Sequence, residues 1–172
     1  MRHEDVQQVL NKPIAQNLLR SAHLARVAYT GIDGFPRVVP VGFYWDGACL
    51  IVCTVPNAPK VPALTARPKV ALTIDTDTQP PRVLLVRGAT TIEVVDGVPT
   101  EYLEANKKVG EPQQWQAFET QVRALYDQMA RISIEPEWAK LLDFETTFPS
   151  AVEEIVRRKH PELLPGADNP TH

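Results

Sequence analysis

Two Asp-Gly pairs divide residues 26–60 into three apolar runs, and this arrangement constrains the fold more than any other feature of the sequence. The pairs are Asp33-Gly34 and Asp46-Gly47, and the runs beside them are rich in valine and aromatic residues. Asp-Gly is favoured in the tight turns of antiparallel hairpins, because glycine adopts positive φ without steric cost. The segment therefore predicts three consecutive antiparallel strands, followed by Lys60 at the start of a short helix.

Alternating apolar and polar positions and short β-branched runs predict six strands in the whole chain. We expect them over residues 24–31, 36–45, 48–55, 69–75, 83–95 and 131–135. Pro40 lies within the second strand and cannot donate a ladder hydrogen bond, so this strand should bend, bulge or lie at an edge there. Gly88 interrupts the fifth strand and indicates a bulge or a tight bend.

Helical spacing of apolar residues predicts helices before, between and after the strands. The expected segments are 6–22 with a break near Pro13, 59–66, 100–108, 113–129 and 149–159. A strand meander followed by helices and a closing strand favours a single-domain, mainly β fold, namely a six-stranded barrel with peripheral helices. Its expected parts are a helical lead-in (1–22), a barrel with inserted helices (23–138) and a C-terminal helix and tail (139–172).

The composition excludes several classes of partner. The 172-residue chain has a formal net charge of −3, which does not give the basic surface typical of nucleic-acid-binding proteins. It has neither a signal-peptide core nor an apolar run of about twenty residues that could span a membrane. Cys49 and Cys53 lie in one predicted strand about 13 Å apart, beyond the reach of a disulfide. Free thiols suit a reducing compartment, so the sequence predicts a cytoplasmic protein.

The chain lacks the motifs of several common catalytic and nucleotide-binding folds. It has no G-x-G-x-x-G after a strand, no P-loop, no G-x-S-x-G and no H-E-x-x-H. Three of its four histidines lie near the termini and only His23 immediately precedes a barrel strand, a poor distribution for a metal centre or a triad. No carboxylate pair stands out either, so a bound cofactor would have to supply the chemistry of an enzyme built on this chain.

An ordered set of segments resembles the pyridoxamine 5′-phosphate oxidase-like family of split β-barrels, which also includes flavin- and deazaflavin-dependent oxidoreductases. The segments are RVAYTGIDGFPRVVPVGFYWDG, LIVCT, KVPALTARPKVAL, RGATTIE and RISIEP followed by Trp138. The similarity covers roughly residues 14–138. It implies a homodimer with two cofactor sites at the subunit interface. FMN is the usual cofactor of the family, some branches use coenzyme F-420, and a few bind haem or biliverdin.

The resemblance also implies where a flavin would lie. The segment 37–41 would follow the ring, and the end of the third strand with the next lysine would lie near the ribityl chain and the phosphate. The implied cofactor-binding residues are Arg37, Val38, Val39, Pro40, Val41, Cys53, Thr54, Val55, Lys60 and Arg87. A flavin needs an apolar slot, backbone donors and cations for its phosphate, which these residues could provide. No side chain is expected to act as an acid or a base.

Two alternatives remain open at the level of sequence. An F-420-dependent reductase would need basic residues for the acidic tail of that cofactor, and Arg67, Lys69 and Arg82 are candidates. A non-catalytic flavin- or haem-binding protein is the other alternative, with only His23 near the barrel as a haem ligand. Oxidation of pyridoxamine phosphate itself is not expected, because the chain lacks a dense cluster of arginine and serine near its C-terminus. The sequence does not indicate the substrate.

Overall fold

The computed structural model describes residues 1–144 and 147–161. Within them, seven strands form one antiparallel sheet. The strands are β1 (Leu24–Thr30), β2 (Pro36–Gly42), β3 (Tyr44–Trp45), β4 (Leu50–Thr54), β5 (Lys69–Asp75), β6 (Val83–Asp96) and β7 (Gln128–Leu142). The helices are α1 (His3–Leu10), α2 (Pro13–Ser21), α3 (Lys60–Ala66), α4 (Thr100–Lys107), α5 (Trp115–Leu125) and α6 (Ser150–Lys159), with a 3-10 turn at Pro112–Gln114.

The sheet is an incompletely closed barrel. Its strand order is β2-β1-β5-β6-β7-β4-β3, and parts of β2 and β4 come within 8 Å of each other, Cα to Cα. No ladder joins β2 to β4 among the described residues. The predicted mainly β barrel with peripheral helices is therefore confirmed, and we call the unpaired gap between β2 and β4 the split.

The strand count differs from the prediction of six because the second expected strand is two strands. The predicted strand 36–45 ends as β2 at Gly42 and resumes as β3 at Tyr44, with Phe43 fully buried between them. The Phe43 carbonyl oxygen accepts a hydrogen bond from Lys108 Nζ at 3.0 Å instead of joining a ladder. The two Asp-Gly turns are confirmed, since Gly34 and Gly47 have φ of 85° and 102°.

The closing strand is longer than predicted. β7 does not end at residue 135 but continues through Pro136 to Leu142. Pro136 is tolerated because it lies opposite Gly88, where the β6–β7 register shifts. This register shift confirms the bulge predicted at Gly88, with Glu137 of β7 as its extra residue. A Cβ at Gly88 would lie 2.1 Å from the Glu135 carbonyl oxygen.

The predicted helix over 113–129 is wrong at its C-terminal end. Helix α5 ends at Leu125, and Met129 belongs to β7, where it is buried. Tyr126 already has an extended backbone, with φ −113° and ψ 111°. An apolar residue at position 129 fits a helical stripe and a strand face equally well, and the tertiary pairing with β6 decides between them.

Apolar side chains form two clusters that position the split. The larger cluster fills the barrel and is closed at one end by α1 and α2, through residues such as Leu10, Leu18 and Leu19. The smaller packs α4 and α5 on the outer face of β4 and β7, around Leu103 and Met129. No helix in the described part of the chain is long and apolar enough to cross a membrane. That the whole chain forms one domain remains a prediction, and its tail beyond residue 161 lies outside the described residues.

Candidate functional site

The free edge of β2 is shaped by two prolines. Pro40 pairs with Arg26 of β1, and because proline has no N–H, this must be a non-hydrogen-bonded pair of the antiparallel ladder. Such pairs alternate with bonded ones, so Pro36, Val38 and Pro40 all direct their backbone groups away from β1. The hydrogen bond from Gly31 N to Phe35 O at 2.8 Å follows the same alternation.

This edge therefore presents very few donors. Between residues 36 and 41, Val38 is the residue whose backbone N–H points away from β1, and it is flanked by Pro36 and Pro40 on the same side. Prolines at these positions prevent an additional strand from pairing along the edge. The expectation that β2 lies at an edge at Pro40 is confirmed.

A second unpaired edge faces β2 across the split. Strand β4 pairs with the short β3 only through Leu50 and Ile51, so its last three residues, 52–54, have a partner on the β7 side alone. Thr54 and Val55 are half-buried at the end of this edge. The split thus places unpaired backbone groups from two strands beside the end of β4.

Lys60 lies at the inner side of the split. It is half-buried and, with Leu64, borders a small gap in the barrel interior that Val39, Val41 and Val52 also line. This gap has a volume of about 10 Å³, whereas ligand sites span roughly 300–1,000 Å³. A flavin ring therefore cannot enter the barrel and would have to lie outside it, along the split.

Arg37 is fixed at the β1–β2 hairpin. Its guanidinium donates to Asp33 at 2.9 Å, and Asp33 also accepts from the Phe35 N–H at 3.2 Å. These two hydrogen bonds lower the pKa of Asp33, with the one from Arg37 as the larger cause. Arg37 is thereby held against Gly31, where a Cβ would lie 2.5 Å from its Nε.

Cys53 faces away from the barrel interior and packs against the smaller apolar cluster. The pKa of its thiol is raised to about 12, chiefly by burial and also by the charge of Glu101, with Arg131 partly opposing both. Arg131 is itself paired with Glu101 at 2.8 Å. A thiol in this environment stays protonated, so Cys53 is not poised as a nucleophile.

Arg87 and Lys60 lie on different faces of the barrel wall, since Lys60 borders the interior and Arg87 is exposed. It lies on the outer face of the sheet, with its guanidinium carbon 4.3 Å from the centroid of the Trp138 ring. The ladder registers align Val38, Ala28, Ala71 and Arg87 in one row across four strands. At about 4.8 Å per strand, Arg87 and Val38 are separated by about 14 Å measured along the curved sheet.

The ten predicted cofactor residues therefore fall into groups. Val39, Val41 and Lys60 border the barrel interior, and Val38, Pro40 and Arg87 are exposed on the outer face. Arg37 lies at the hairpin, Thr54 and Val55 at the end of β4, and Cys53 beneath α4. Their role in binding a cofactor stays a prediction. The stacking of Arg87 on Trp138 was not anticipated, because it depends on pairing between β6 and β7 that the sequence does not specify.

The order of the strands and the split fit a known family. A family model described as pyridoxamine 5′-phosphate oxidase matches residues 12–141. The chain belongs to the pyridoxamine 5′-phosphate oxidase family. The fold predicted from the resemblance, a split β-barrel, is thereby confirmed.

Solved structures share the fold. One described as an F-420 reductase is 26% identical with a TM-score of 0.56, and the match covers 75% of this chain and 97% of that chain. A putative pyridoxamine 5′-phosphate oxidase from Listeria innocua is 18% identical, with a TM-score of 0.52 and coverages of 74% and 94%. A haem storage protein from Vibrio cholerae is 15% identical, with a TM-score of 0.54 and coverages of 77% and 93%. At these identities the last two show a shared fold only, and no curated protein matches the chain.

Proposed function

We propose that this member of the pyridoxamine 5′-phosphate oxidase family binds FMN along the split, in a site completed by a second copy of the chain, and catalyses flavin-dependent redox chemistry on a small molecule. Bound FMN would supply hydride transfer. The residues of the chain would bind and orient it and exclude water from one of its faces. No side chain is assigned as an acid or a base.

The observation that carries the proposal is Lys60 beside two unpaired backbone edges. Lys60 is half-buried against Val39 and Val41 and has no carboxylate partner among the described residues. A cation held at an apolar wall without a counter-ion favours a phosphate. The hydroxyl of Thr54 would add a donor to the same phosphate, and the Val38 N–H is available to a carbonyl of the flavin ring.

A second subunit is proposed because the single chain leaves apolar side chains exposed beside the split. The β1–β2 hairpin exposes Ile32 (57%), Phe35 (72%) and Val38 (65%). An apolar patch of this kind indicates a surface that is covered in the functional state. The barrel interior is too small for the ring, so a second copy would supply the opposite wall of the slot, as in the homodimer that the resemblance implies.

Coenzyme F-420 is a second candidate cofactor, because the structure at 26% identity is described as an F-420 reductase. Of the three basic residues proposed for its tail, Lys69 is engaged with Glu137 at 2.8 Å. Arg67 donates to the Gly31 carbonyl oxygen at 3.0 Å. Arg82 is exposed and forms no ion pair within the described residues, so it is the best placed of the three to meet an acidic tail.

The haem-binding alternative gains no support from His23. This residue is exposed on the bend before β1, and it does not line the gap at the split. A non-catalytic flavin-binding protein would use Lys60 in the same way as a flavin-dependent enzyme. Only a turnover assay distinguishes these two functions.

The absorbance spectrum of the purified protein tests the proposal. Bound FMN should give two bands near about 370 and 450 nm, while a deazaflavin should give one band near about 420 nm. The same measurement should be repeated after incubation with each cofactor and gel filtration. A protein that stays colourless after both incubations would overturn the proposal, and a sharp intense band near about 420 nm in the protein as purified would favour haem.

A further inference from the structure

A second cavity, of about 480 Å³, lies where the end of α2, the β3–β4 turn and the end of α4 meet. None of the ten predicted cofactor residues lines it. Its volume falls within the range of about 300–1,000 Å³ that small-molecule sites occupy. It is therefore a separate feature from the split, and its lining is mixed, with cations, carboxylates and aromatic residues.

Some charged groups of this cavity already have partners of opposite charge or hydrogen-bond partners, and others do not. Both of its carboxylates already have partners, since Glu104 pairs with Lys107 at 2.6 Å and Asp46 accepts the N–H groups of Ala48 and Cys49 at 2.8 and 2.7 Å. Arg20 donates its Nε–H to Gln16 at 3.2 Å. Arg20 has no carboxylate partner within residues 1–144 and 147–161, so its guanidinium fork is available.

Lys108 is a cation of the lining that is held in place by backbone contacts. Its Nζ donates to the carbonyl oxygens of Phe43 at 3.0 Å, Leu19 at 3.3 Å and Ala22 at 3.4 Å. The lining contains three cationic side chains, those of Arg20, Lys107 and Lys108, and two carboxylates. The lining thus has a formal excess of one positive charge, which suits a monoanion better than a dianion.

Two aromatic residues also line the cavity. Tyr44 and Trp45 of β3 both line the cavity. Trp45 is buried, and its Nε1–H has no acceptor in the described structure. Aromatic rings beside a free guanidinium suit a ligand that has a flat apolar body and a single carboxylate, because arginine recognises carboxylates through two parallel hydrogen bonds.

We propose that this cavity is a binding site for a small aromatic monocarboxylate. Arg20 and Lys107 contact the carboxylate, and Tyr44 and Trp45 contact the ring. The site is independent of the proposed FMN site, since the two share no residue.

Indole N–H resonances in a ¹⁵N NMR spectrum of the full chain test the proposal, with benzoate as the probe. Each of the three tryptophans is assigned by a single Trp→Phe variant. Benzoate should shift the Trp45 resonance saturably and leave that of Trp138 in place. Benzyl alcohol, which has the ring without the charge, and inorganic phosphate, which has charge without the ring, should each bind at least tenfold more weakly.

Two variants complete the test. Arg20→Gln should weaken benzoate binding at least tenfold, whereas Arg158→Gln, an exposed arginine on α6, should leave it unchanged. If Arg20→Gln disturbs folding, Lys107→Gln tests the contact with the carboxylate in its place and should likewise weaken benzoate binding. Absence of a saturable Trp45 shift, equal binding by the Arg20 and Arg158 variants, or tighter binding of phosphate than of benzoate would overturn the proposal.

Discussion

The Lys108 ammonium lies 4.0 Å from the centroid of the Phe43 ring and donates to the carbonyl oxygen of the same residue at 3.0 Å. Its other two acceptors, Leu19 O and Ala22 O, belong to the last turn of α2 and the residue after it. One side chain therefore joins the end of α4, the end of α2 and the interruption between β2 and β3. Helix-end carbonyls need such partners when they are not hydrated.

Replacement of Lys108 by methionine should lower the free energy of unfolding by about 1–3 kcal/mol, because it leaves partly buried carbonyl oxygens without donors. Urea denaturation followed by circular dichroism measures the change. Lys159→Met, at an exposed position of α6, is the matched control and should change stability by less than about 0.5 kcal/mol. Equal stability of the two variants would contradict the role given to Lys108.

The pH dependence of stability should depend on Lys108. Burial lowers its pKa from 10.5 to about 8. Between these two values the unfolded chain binds one more proton than the folded chain, so stability rises with pH over this interval. The free energy of unfolding of the wild type should therefore increase relative to Lys108→Met between about pH 8 and about pH 10. Parallel pH profiles for the two proteins would exclude the lowered pKa.

The two thiols should differ in reactivity. The pKa of Cys53 is raised to about 12 by burial, while the more exposed Cys49 has a smaller upward shift from the same cause. At pH 8 a disulfide reagent should modify Cys53→Ala, which retains Cys49, faster than Cys49→Ala, which retains Cys53. Rapid modification of Cys49→Ala in the folded state would show that Cys53 is accessible and ionised.

Gly88 should be far more sensitive to an added methyl group than Gly42. A Cβ at Gly88 would lie 2.1 Å from the Glu135 carbonyl oxygen, whereas the nearest atom to a Cβ at Gly42 is Ala105 Cβ at 3.9 Å. Gly88→Ala should therefore destabilise the barrel by about 1–3 kcal/mol or more, and Gly42→Ala by less than about 1 kcal/mol. Thermal unfolding of both variants measures this difference, and similar melting temperatures would contradict the close approach at the bulge.

Local turn chemistry made part of this fold predictable from sequence. Asp46 accepts two backbone N–H groups from its own turn, at 2.7 and 2.8 Å, and Gly47 takes the positive φ that the turn requires. The alternation of Arg37, Val39 and Val41 on one face was likewise readable from residue spacing. Such features depend on residues only a few positions apart.

Features that depend on distant partners were not predictable. The interruption of the second strand involves Lys108, which is 65 residues from Phe43. The extension of β7 through Pro136 requires the bulge opposite Gly88. Lys60 borders the barrel interior while Arg87 is exposed on the outer face, and this difference depends on how the sheet closes, which local patterns do not specify. For the same reason the sequence predicted which residues belong to the candidate site, but it did not predict that they lie on two different faces of the barrel.

Titration of the cofactor-free protein with FMN, followed by quenching of flavin fluorescence, tests the central claim most directly. Lys60→Ala should weaken FMN binding by about 1–3 kcal/mol, or roughly 5- to 150-fold, because a charge-assisted contact to the phosphate is lost. Lys12→Ala, at an exposed position before α2, should bind FMN as the wild type does. Equal affinity of the wild type and Lys60→Ala, or no FMN binding by the wild type, would contradict a flavin phosphate site at the split.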